Sequence, residues 1–154
     1  MMVSNRQMKN ILHEIDFNTI ECDYSYPMKK MVAVEGEPYW SVLREDIPAP
    51  YAARKQLADH EWDINEVYIN DSENIKELVY NGLCIVRAWQ SEMTKQWPSV
   101  QFDICLSVDY GEIEISPSVT LRFWAVRNGY HYIQPVEDEL ELFKINPVLI
   151  ECVN

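Results

Sequence analysis

Between Ile75 and Trp97 the apolar residues Ile75, Leu78, Val79, Leu83, Val86, Trp89, Met93 and Trp97 recur at the 3.6-residue spacing of a helix with one buried face, sustained for about seven turns. Asn70 or Asp71 stands where a side chain can cap the first free amides. Glu73 and Glu77 suit the positive end of the helix dipole and Lys95 the negative end. Pro98 stops the run, because it lacks the amide hydrogen and disfavours helix in the residue before it. The pattern predicts an amphipathic helix over about 72–97, with Gly82 on its apolar side, where another element can approach closely.

Past Val100 the period drops from 3.6 to 2. Phe102, Ile104, Leu106 and Val108 alternate with Asp103, Cys105 and Ser107, the signature of a strand with one buried face. Val119, Leu121, Phe123 and Ala125 repeat it. Asn128-Gly129, a pair suited to the positive φ angles of a type I′ turn, predicts an antiparallel hairpin of 119–127 with 130–135. A last strand follows Pro147 over Val148–Val153, and the acidic stretch Glu137–Phe143 before it reads as a helical turn or an ordered loop. Pro27, Pro38, Pro48 and Pro50 divide the first 70 residues, where the pattern predicts a helix over 4–15, a strand over Met31–Glu35, a helix over Tyr51–His60 and a strand over Val67–Ile69. No repeat or linker breaks the chain. The expectation is a single α+β domain over 1–154, a two-layer sandwich with the long helix on a mainly antiparallel sheet.

A two-residue turn at Asn128-Gly129 sets Arg127 opposite Tyr130, Val126 opposite His131, Ala125 opposite Tyr132 and Trp124 opposite Ile133. If Phe123 and Ala125 face the helix, then Trp124, Val126, His131 and Ile133 face away, with Arg122, Asp103 and Cys105 beside them. Either the proline-divided N-terminal third folds over this second face and hides Trp124 and Ile133, or the face is a partner-binding surface with an aromatic anchor and an acidic rim.

Composition narrows the choice of partner. The 154 residues include 25 acids and 13 bases, a formal net charge of −12. Phosphate-backbone binding depends on clustered Lys and Arg, so neither nucleic acid nor an anionic membrane is an expected partner. Five Trp, nine Tyr and four Phe, with 47% apolar residues, set the chain apart from a disordered acidic tail. The N-terminus lacks the apolar core of a signal peptide and no run of about 18 apolar residues occurs, so a cytoplasmic protein is expected. Cys22, Cys84, Cys105 and Cys152 are widely spaced, with no C-x-x-C pair, and read as free thiols, mostly buried.

Candidate chemistry is sparse. Cys105, His131 and Asp103 can be imagined as nucleophile, base and orienting group, but nothing beside Cys105 lowers its pKa or supplies an oxyanion hole. His13, His60 and His131 are far apart, and Asp63-Ile64-Asn65 lacks the glycine and terminal glutamate of an EF-hand loop, so no metal is expected. Glu112 and Glu114 have no environment that would raise one carboxyl for acid catalysis. Four glycines offer no phosphate cradle, and no cofactor is expected. What remains is charge. Glu112, Glu114, Glu137, Asp138, Glu139 and Glu141 read as acids that steer a basic partner, with Tyr110, Trp124 and Tyr130 as aromatic anchors.

In general format, though in no motif, a small acidic α+β chain of this kind is similar to the immunity proteins with which bacteria neutralise nuclease toxins. The resemblance implies a non-enzymatic inhibitor whose carboxylates sit in a basic cleft where phosphates would lie. Two other readings stay open: a small enzyme or ligand-binding domain with a pocket near Cys105, His131 and Arg122, and a structural subunit whose second sheet face is a homodimer interface.

Overall fold

The computed structural model describes residues 1–20, 26–33, 36–42, 57–144 and 146–154. In chain order its elements are β1 (Met2–Ser4), α1 (Arg6–Leu12), a 3-10 turn at Phe17–Thr19, β2 (Met28–Val32), β3 (Pro38–Val42), α2 (Leu57–Ile64), β4 (Val67–Ile69), α3 (Ile75–Gln96), β5 (Phe102–Asp109), β6 (Ser118–Ala125), α4 (Glu137–Leu140) and β7 (Val148–Val153). The helix expected over 4–15 is the shorter α1. The strand expected at Met31 starts at Met28, with Val34 and Glu35 outside the described residues. Of the helix expected over 51–60, the part before Leu57 also lies outside them.

The long amphipathic helix α3 buries Leu78, Val79, Leu83, Val86, Trp89 and Met93. Its cap is Asn74, in place of the expected Asn70 or Asp71: the Asn74 side chain accepts from the amide of Glu77 at 3.1 Å. Asn74 has the extended backbone that an N-cap requires. The Ser72 hydroxyl accepts from the amide of Asn74 at 3.0 Å and donates to Glu77, which closes the turn before the helix starts.

The helix lies on a five-stranded antiparallel sheet of order β1-β7-β5-β6-β4. Period-2 alternation sends Phe102, Ile104, Leu106 and Val108 of β5, with Val119, Leu121 and Phe123 of β6, into one buried cluster with α3. Gly82 makes the contact close. A Cβ there would sit 2.6 Å from Cδ1 of Leu106 and 3.0 Å from Cγ1 of Val119.

The expected 119–127/130–135 hairpin is not formed as a strand pair. The Asn128-Gly129 turn is present, with φ of 53° and 72°, and Arg127 and Tyr130 bridge across it. The chain then leaves the sheet, because the edges of β6 are already engaged. One edge is paired along its length with β5, and the other carries β4 over Val119–Leu121. Beyond β4 that second edge is met by side chains of α2 and of the residue just after it. Glu61 accepts from the amides of Ala125 (3.0 Å) and Trp40 (2.8 Å), and Asn65 donates to the carbonyls of Phe123 (3.3 Å) and Trp40 (2.9 Å) while accepting from the amide of Val42 (2.9 Å). Glu61 and Asn65 thus stand in for a strand and join the β2-β3 ribbon to the main sheet.

Glu61 is fully buried, and Arg127 answers its charge at 2.7 Å. Burial pushes its pKa up, while the guanidinium and the two amides favour the carboxylate. The same Arg127 donates to the Pro38 carbonyl at 3.1 Å.

The second face of the sheet is partly covered. Ala58 and Trp62 of α2, Leu140 of α4, and Tyr132 and Ile133 pack on Trp124, Cys105, Ile150 and Cys152. From the N-terminal third α2 reaches this face, whereas Met8, Ile15, Met28 and Trp40 join the cluster on the helix side. Asn5 ties the two ends of the chain: its amide group donates to the carbonyls of Leu140 and Asn146, and its carbonyl oxygen accepts from the amides of Met8 and Val148.

Candidate functional site

Where α2 and the C-terminal segments stop, the second face opens as a cleft of about 410 Å³. Strand register builds its floor, since Cys105 pairs with Arg122 and Ser107 with Thr120 on adjacent strands. Trp62, Glu66 and Tyr68 supply wall residues from the α2–β4 stretch. Ile115 comes from the turn between β5 and β6, and Ile133 and Phe143 come from the C-terminal third.

Arg122 is the cation of the floor, and its neighbours hold it firmly. It donates to the Trp62 carbonyl at 2.6 Å and to Glu66 at 2.8 Å, and its guanidinium carbon lies 4.6 Å from the centre of the Trp62 ring. Trp62 in turn stacks on Tyr132, with ring centres 4.5 Å apart. These fixed rings make a preformed wall.

Asp103 and His131, set together by the turn after β6, form a close pair with Oδ2 2.5 Å from Nδ1. Burial pushes the Asp103 pKa up, against the opposing effect of His131, Cys152 and Trp124 on its carboxylate. The thiol beside this pair is Cys152, whose strand position pairs with Asp103. Burial raises the Cys105 thiol to about 12 and the Cys152 thiol to about 11. Both are protonated and non-nucleophilic at neutral pH, so the Cys105, His131 and Asp103 constellation lacks an activated sulfur. Cys84 is likewise buried, and Cys22 lies outside the described residues. Among the described residues no three His, Cys, Asp or Glu side chains gather in a way that could hold a metal ion, and no helix is long and apolar enough to cross a membrane.

The nine residues read from the sequence as a partner surface divide into groups. Glu112 and Glu114 are exposed on the β5–β6 turn, beside cleft residue Ile115. Glu137, Asp138, Glu139 and Glu141 are exposed on and just after α4, which leads to cleft residue Phe143. Two of these acids also anchor α1: Glu137 pairs with Lys9 at 2.8 Å, and Glu141 accepts from the amide of Arg6. Tyr110 is half exposed but lines a shallow groove with Ile11 and Ile75 on the helix side. Tyr130 is exposed at the far end of the sheet, on the Asn128-Gly129 turn. Trp124 is corrected: it has 0% exposure, sits against Trp62 and Tyr132, and presents nothing to a partner. Alternation alone could not foresee that α2 would reach this part of the sheet.

Sequence reasoning missed the apolar rim. Tyr68, Ile115 and Phe143 are exposed at the cleft, with Leu142 next to Phe143 and Ile113, 94% exposed, at the tip of the turn. The available signal was Glu112-Ile113-Glu114-Ile115, where isoleucines occupy a stretch bounded by Gly111 and Pro117 that would ordinarily be polar. Compared with protein-family models, with curated proteins and with solved structures, the chain finds no match.

Proposed function

We propose that this protein is a non-enzymatic binding module that docks on a basic protein and masks it, in the manner of an immunity-type inhibitor of a nuclease toxin. The observation that carries the reading is a cleft whose rim exposes Tyr68, Ile115 and Phe143 and whose lining includes Asp109, with Glu112 and Glu114 on the adjoining turn and the α4 acids on the segment that leads to Phe143. Carboxylates on such a rim accelerate encounter with a cationic surface, and burial of the apolar rim slows dissociation. The net charge of −12 favours basic partners at long range.

The test begins with a basic protein retained on the immobilised chain at low salt, then purified, and follows its association rate. The rate is expected to fall steeply with ionic strength and by about tenfold on combined Glu112→Lys and Glu139→Lys substitution, with little change in dissociation. An association rate indifferent to both would overturn the reading. A small-ligand site is the second reading, favoured by the Arg122, Ser107 and Thr120 floor. It predicts a raised melting temperature with a small molecule and no dependence on Glu112 or Glu139.

A further inference from the structure

We infer that the cleft takes an extended, cationic segment of the partner, seating one bulky apolar side chain against Ile115, Phe143 and Tyr68 while neighbouring lysines or arginines meet the carboxylates of the β5–β6 turn. The inference rests on the reading above and goes beyond it: the recognised feature is a peptide-like element with an apolar anchor, and not a broad basic surface alone.

Four observations support this occupant. The cleft, at about 410 Å³, matches the few hundred cubic ångströms of sites that enclose a large side chain with its flanking backbone. Its floor offers hydroxyls of Ser107 and Thr120, groups suited to a peptide backbone. Its charge favours cations: Arg122 and Glu66 cancel as a pair at 2.8 Å, which leaves the carboxylate of Asp109 as the net charge of the described lining, with Glu114 next to Ile115 and Glu112 bridged to it. The rim is also preorganised, which lowers the entropic cost of docking. Glu112 and Ile115 exchange backbone bonds of 3.0 and 3.1 Å, and the Asp109 carboxylate accepts from the amide of Gly111 at 2.8 Å. The Ser116 hydroxyl, donating to Glu73 at 2.6 Å, ties the turn to the start of α3. A Cβ on Gly111 would lie 2.2 Å from the carbonyl oxygen of Ile115, so the turn closes only around glycine. Glu114 holds its carboxylate at φ 71°, a left-handed conformation that glycine or asparagine adopts more easily.

The test selects from a display library of random twelve-residue peptides, with the intact protein as bait. The expected result is enrichment of peptides carrying Lys and Arg around one bulky apolar residue. Their affinity should fall about tenfold or more on Ile115→Ser with Phe143→Ser, and also on Glu112→Lys with Glu114→Lys. Ile115 and Phe143 are exposed, so the melting temperature should be unchanged; Ile115→Ser alone serves as the second variant if the pair is destabilised. Basic peptides that depend on the glutamates but not on Ile115 or Phe143 would overturn the cleft inference and leave the basic-partner reading standing. Enrichment of peptides without a cationic bias, or no enrichment, would overturn both.

Discussion

Leu106 and Ser107 are neighbours on β5 and opposites in surroundings. Leu106 is fully buried beneath Gly82 of α3, whereas Ser107 opens into the cleft. The same division runs across the sheet. The helix-side face is a closed array of Leu, Ile, Val and aromatic side chains, filled by the long helix α3 together with Met8 of α1 and Met28 and Trp40 of the β2-β3 ribbon. The other face alternates a small covered cluster with a polar-floored opening, and its cover is assembled from α2, α4 and the stretch around Ile133. A face packed along its length by one continuous helix, with α1 and the β2-β3 ribbon beside it, is filled by its own apolar side chains. A face closed by several short pieces leaves a gap where they end.

The largest effect should come from the piece that secures the cover. Glu61→Ala strips the partly exposed Arg127 of its counter-charge and leaves the buried amides of Trp40 and Ala125 unanswered, and should cost about 3–5 kcal/mol in urea unfolding. Leu106→Ala should cost about 2–5 kcal/mol by the same measurement, through lost burial and the cavity left under α3. A loss below about 1 kcal/mol would mean the two faces are less different than their packing indicates.

Alkaline titration probes the covered part of the second face. Cys105 and Cys152 have folded values of about 12 and about 11 against an ordinary 9.0, because burial disfavours the thiolate. Above about pH 9 the unfolded chain releases protons that the folded chain keeps, so stability should fall as pH rises toward 11–12. Cys105→Ala should flatten that fall, measured as urea midpoints at several pH values; an unaltered slope would count against burial as its cause.

Smaller still, Glu114→Gly should raise stability by up to about 1 kcal/mol, since glycine takes the left-handed conformation without strain, while partner association slows. Ser107→Ala, in the open part of the second face, should stay within about 0.5 kcal/mol of the wild type. That near-neutral result beside a large effect at Leu106 is the sharpest form of the comparison.

The legible parts of this fold were those in which one residue pattern repeats over a long element. The 3.6-residue spacing of Leu78, Val79, Leu83, Val86, Trp89 and Met93 marked α3, and the alternation from Phe102 to Val108 marked β5. Asn128-Gly129 announced a turn and the turn is there, yet 131–135 departs from the sheet because β4 and the Glu61 and Asn65 side chains occupy that edge. A local signal reports the bend, not the competition for the edge beyond it. The second face as patterned offers a pocket near Cys105 and Arg122, and both line the cleft, but the same competition hid its walls. Its floor mixes β5 with β6, and its walls come from residues as far apart as Trp62 and Phe143.

Local chemistry along the chain was enough to determine the long helix, the buried face of the sheet, the positions of several turns and the strongly acidic character, because each depends on residues within one or two turns of one another or on simple summation of charge. Tertiary structure alone decided that Trp124 is core, that Glu61 substitutes for a strand, and that Tyr68, Ile115 and Phe143 meet at one opening. Those outcomes depend on contacts between residues tens of positions apart, and such contacts are set by which elements win each sheet edge and face.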